Sequence, residues 1–83
     1  MYEAVFSDEF KRQLMKLKKR DRIMYERVEK KIRDILIEPG HLKHLKGKLK
    51  GEQRVHFGSF VLRFKLEENK IVFITLKHHD YAY

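Results

Sequence analysis

From Gln53 to Leu66, apolar and polar side chains alternate in two runs broken only by a short turn-forming segment. Val55 and Phe57 alternate with Arg54 and His56, and Leu62, Phe64 and Leu66 alternate with Val61, Arg63 and Lys65. A period of two is the signature of a strand with one wet and one dry face. Gly58-Ser59 and Glu67-Glu68-Asn69-Lys70 leave room only for tight turns, so successive strands run antiparallel. The third run, Ile71-Val72-Phe73-Ile74-Thr75-Leu76, is nearly all apolar and reads as an interior strand. A sheet with one apolar face needs a cover, and that cover must come from upstream.

The upstream half supplies it. Glu3-Ala4-Val5-Phe6 reads as a short opening strand, and Ser7 followed by Asp8-Glu9 is a helix start with acids at the positive end of the dipole. Phe10, Leu14 and Leu17 recur at helical spacing. After a turn near Lys19-Arg20-Asp21, Met24, Val28, Ile32 and Ile35-Leu36 form the stripe of a second helix, ended by Glu38-Pro39-Gly40. So short a connection predicts a helical hairpin. The expected architecture is a small α+β domain spanning residues 1–83, ordered β-α-α-β-β-β. The hairpin packs on one face of a mainly antiparallel four-stranded sheet. Arg54, His56, Val61, Arg63 and Lys65 then emerge on the face opposite the helices.

Charge narrows the partners. The formal net charge is +8. Residues 39–66 carry seven Lys/Arg against one acid, whereas 1–38 carry eleven against eight and 67–83 two against three. The excess is therefore localised, and a localised positive field attracts polyanions or acidic protein segments. The chain has no cysteine, which removes disulfides and thiolate chemistry. His78 and His79 are adjacent on a strand and point to opposite faces, so neither a metal site nor a cofactor is expected. No apolar run approaches the roughly 20 residues of a membrane span, and no secretory signal pattern opens the chain. The expectation is a cytoplasmic protein without membrane contacts.

Four segments in order resemble the RelE/ParE toxin superfamily, and RelE-like mRNA interferases most closely. They are Phe6-Ser7-Asp8-Glu9-Phe10, Leu45-Lys46-Gly47-Lys48-Leu49-Lys50-Gly51, Arg54-Val55-His56-Phe57-Gly58-Ser59-Phe60, and His78 through Tyr83. The resemblance implies the toxin of a type II toxin–antitoxin pair, held in a complex with an acidic antitoxin. It further implies an endoribonuclease that cuts mRNA in the ribosomal A site without metal, by attack of a ribose 2′-hydroxyl on the adjacent phosphate. Arg54 and His56 fall where RelE enzymes carry two catalytic basic residues, Lys77 near a family arginine, and Tyr83 at the terminal tyrosine. Imidazole titrates near neutrality and suits a base, whereas guanidinium only binds anions.

Two positions depart from the pattern. Val61 stands where the family commonly has arginine, and His79 where the closing segment has another. Arg63, two residues along the same strand face, is then the expected replacement guanidinium. Lys46, Lys48, Lys50, Lys65, His78 and His79 complete the set expected to bind substrate. The alternative is a non-catalytic or gyrase-directed ParE-like toxin, or a degenerate toxin that serves only as an antitoxin- or nucleic-acid-binding module.

Overall fold

The computed structural model describes residues 2–37 and 52–78. Strand β1 (Glu3–Phe6) leads into α1 (Asp8–Arg20) and α2 (Arg22–Ile37), and β2 (Glu52–Phe57), β3 (Phe60–Glu67) and β4 (Lys70–His78) follow. The sheet order is β1-β4-β3-β2; β1 runs parallel to β4 and the other pairs are antiparallel. The β-α-α-β-β-β expectation and the interior position of the last strand both hold.

The helix boundaries have local causes. Ser7 accepts a hydrogen bond from the Phe10 N–H at 3.0 Å, closing the first turn of α1. Asp21 alone connects the helices: its N–H ends α1 on the Leu17 carbonyl at 2.8 Å, and its carboxylate accepts from the Met24 N–H at 3.1 Å. The second cap was not among the sequence expectations, although Asp before an amphipathic run is a readable signal. The expected end of α2 at Glu38-Pro39-Gly40 lies outside the described residues.

Both helical stripes close on one sheet face. Phe10, Leu17, Val28, Ile32, Ile35 and Leu36 pack with Val55, Leu62, Phe64, Ile71, Phe73 and Leu76 in a single core. Its centre is aromatic: the Phe73 ring lies 5.3 Å from Phe6, 5.6 Å from Phe10 and 6.1 Å from Phe64. Each buried phenylalanine contributes about 1.5–3 kcal/mol of transfer free energy. Among the described residues, no helix is long and apolar enough to cross a membrane.

The hairpins fix register. Phe57 pairs with Phe60 across Gly58-Ser59, and Gly58 has φ +56°, the left-handed conformation that a two-residue hairpin demands of its first turn residue. Glu68 in the second hairpin adopts φ 55° without being glycine.

Candidate functional site

On the face away from the helices, register builds a grid three strands wide. His56, Val61 and Lys77 form one row; Arg54, Arg63 and Thr75 the next; Glu52, Lys65 and Val72 a third. Strand spacing of about 4.8 Å sets the columns, and two residues of rise, about 6.7 Å, separate the first two rows. The two rows nearer the Gly58-Ser59 turn thus bring one imidazole, two guanidiniums and one ammonium onto a patch about 10 Å across.

A bulge puts Lys77 there. Between Leu62 and Phe64 β3 has only Arg63, but between the partner residues Leu76 and Phe73 β4 has both Ile74 and Thr75. The extra residue reverses the in–out phase of β4. Ile71 and Phe73 face the core on one side of it and Leu76 on the other. Strict alternation would have sent Thr75 and Lys77 into the core with Phe73. Helix α1 holds both flanks of the irregularity. Ser7 donates from Oγ to the Ile74 carbonyl at 2.6 Å, and the Leu76 N–H donates to the Gln13 side-chain oxygen at 2.7 Å. Beyond Phe73 β1 has ended, so Gln13 serves a donor that no strand reaches.

The charges on this face are unevenly paired. Arg54 and Arg63 stand directly opposite, an unfavourable like-charge pair. Glu52, the lone acid of the basic 39–66 segment, resolves it by accepting from Arg63 Nε at 2.5 Å and pairing with Nη2 as well. Lys65 pairs with Glu67 at 2.8 Å, and that hydrogen bond, reinforced by the carboxylate's charge, raises its pKa. Arg54 and Lys77 form no ion pair among the described residues. Among the described residues, the uncompensated positive charge therefore lies at Arg54 and Lys77.

The expected site residues divide accordingly. Arg54, His56, Arg63, Lys65 and Lys77 share the open face. Arg63, the expected substitute for the missing family arginine, is engaged by Glu52. Val61 lies on this face by register yet is only 3% exposed. His78 belongs to the other face: it pairs with Phe60, and the two rings meet edge to face at 5.4 Å. Lys46, Lys48, Lys50, His79 and Tyr83 lie outside the described residues. Sequence reading missed Glu52 and Thr75. Each had a signal, one as a single acid in a basic stretch and the other as a single hydroxyl in an apolar run.

On the helix side, a cleft of about 750 Å³ opens between the helix connection and the ends of β3 and β4. Leu17, Met24, Phe60 and Leu76 line it together with Lys16, Arg20, Asp21, Lys77 and His78, a mixed apolar and charged surface.

Comparison with known proteins identifies a family for the chain. The family described as the ParE toxin of the parDE type II toxin–antitoxin system matches residues 4–83. A Methanocaldococcus jannaschii protein named "Putative toxin RelE4" is 37% identical over 86 residues, covering 100% of this chain and 92% of that protein. No solved structure matches the chain. With a β-α-α-β-β-β fold, a basic sheet face and a family match over nearly all its length, the chain belongs to the RelE/ParE superfamily of type II toxin–antitoxin toxins.

Proposed function

We propose that this toxin is a metal-independent endoribonuclease acting on mRNA in the ribosomal A site. The observation that carries the reading is the adjacency of His56, Arg54 and Lys77 on one open sheet face. His56 accepts the proton of a ribose 2′-hydroxyl as that oxygen attacks the neighbouring phosphorus. Arg54 and Lys77 bind the phosphate oxygens, whose charge grows in the pentacoordinate state. The P–O5′ bond then breaks, the 5′-oxygen takes a proton from water, His56 returns its proton to solvent, and the products are a 2′,3′-cyclic phosphate and a 5′-hydroxyl. Tyr83 stacks on or orients the substrate, and Lys46, Lys48 and Lys50 add phosphate contacts. The family's antitoxin partner is expected to be acidic, matching the chain's +8 charge, and to order on binding.

The test is mRNA end mapping on programmed ribosomes. Wild type should leave 5′ fragments ending in a 2′,3′-cyclic phosphate, and a 2′-deoxyribose at the cut position should abolish the reaction. His56→Ala should lower the single-turnover rate by about 10²- to 10⁴-fold. Unchanged cleavage in both His56→Ala and Arg54→Ala would refute the assignment.

A second reading is favoured by the ParE family match and by Val61 in place of the family arginine. There the chain acts without RNA scission, as a gyrase-directed toxin. Inhibition of gyrase supercoiling with intact mRNA would select it.

A further inference from the structure

Thr75 is the one buried polar residue among the described residues, 4% exposed, and its hydroxyl has no hydrogen-bond partner among them. A buried hydroxyl left unpaired is costly, and valine would fill the same space without that cost. Valine would also suit the strand, since Ile71, Val72, Phe73, Ile74 and Leu76 surround Thr75 in sequence. Yet the bulge turns this hydroxyl out of the helix-covered core and into the row of Arg54 and Arg63, two residues from Lys77. Among the described residues this hydroxyl has no partner.

We infer that Thr75 is a further ligand-binding residue of the open face, its O–H donating to a non-bridging oxygen of the phosphodiester held by Arg54 and Lys77. This rests on the reading of that face as an RNA site. Lys77, two residues along the strand on the same face, is long and flexible, so a phosphate it holds can be drawn to the hydroxyl. A neutral donor here fixes the phosphate's position along the strand, which mobile cations alone do not. It orients the group without adding charge.

Binding of a short, fully 2′-O-methylated RNA tests this, because that probe keeps the phosphodiesters and lacks the nucleophile. Thr75→Val should weaken binding about tenfold, the worth of one hydrogen bond to a charged group. Its melting temperature should match or exceed that of wild type, and Thr75→Ser should bind nearly as wild type does. Equal binding by wild type and Thr75→Val overturns the inference and leaves the hydroxyl to a buried water. Equal losses in Thr75→Val and Thr75→Ser overturn it too, because they report packing of the methyl group. No measurable binding by wild type also overturns it. The ribosome assay is read separately. Binding that depends on Thr75 without any mRNA scission retires the nuclease and keeps the phosphate contact. Scission by wild type with binding indifferent to Thr75 does the reverse.

Discussion

Glu52 decides how much of the open face is cationic. Its carboxylate and the Arg63 guanidinium are both about one-third exposed, so the pair itself adds at most about 1 kcal/mol to stability. Its larger effect is on the field, because it removes one of two facing guanidiniums from the reach of an anion. Glu52→Gln should therefore tighten binding of the 2′-O-methyl RNA several-fold at low salt. It should also steepen the dependence of log affinity on log salt by about 0.7, the value of one phosphate contact on a single strand. An unchanged slope would mean that Arg63 lies off the bound strand. Tyr25 offers a separate handle on the helices. Its phenol donates to Glu29 at 3.1 Å, and chiefly that bond, with burial and the Glu29 charge behind it, raises its pKa above 10.0. The neutral phenol is the favoured form, so this contribution to folding is present below the unfolded value and is lost as pH climbs through the folded one. In ultraviolet titration, the difference between wild type and Tyr25→Phe should show a midpoint above 10.0, shifted downward in Glu29→Gln.

Between the first helix and the fourth strand, two hydrogen bonds hold the bulge on which the face depends. Ser7→Ala removes both the α1 cap and the bond to the Ile74 carbonyl. It should cost about 1–2 kcal/mol in urea unfolding. Gln13→Leu strands the Leu76 N–H and should cost about 1–3 kcal/mol. If the bonds also set the phase of β4, both variants lose RNA affinity under conditions where each is fully folded. Loss of stability alone would limit Ser7 and Gln13 to holding the fold. At the β2–β3 hairpin, Gly58 combines a left-handed φ with the Met24 methyl 3.4 Å from where a Cβ would stand. Gly58→Ala should destabilise by about 1 kcal/mol, mainly through the backbone, since that contact needs only a slight adjustment.

The whole molecule separates two surfaces by the thickness of one sheet and its helical cover. Cations with an imidazole occupy the open side, while a cleft of mixed apolar and charged lining, beside Lys16, Arg20 and Asp21, opens on the helix side. About three phosphate contacts on the open face predict a roughly twentyfold loss of single-stranded RNA affinity between 50 and 200 mM salt. A flat salt profile would argue against a backbone-reading surface and toward the gyrase-directed alternative.

Local chemistry wrote most of this fold into the chain. Alternation in residues 53–66, the stripes of Phe10-Leu17 and Val28-Leu36, and the Ser7 cap each follow from neighbours a few positions away. Arg54 and His56 were legible as open-face residues for the same reason. What local pattern could not supply is the phase of β4 beyond Phe73. The flanks of its irregularity are held by Ser7 and Gln13, 67 and 63 positions from the backbone groups they bind. Contacts so distant in sequence form only when the helix lies across the strand, and beyond the irregularity Thr75 and Lys77 face the cations while His78 turns to Phe60. The engagement of Arg63 by Glu52 has the same origin, because only the β2–β3 register brings that acid diagonally across from its base.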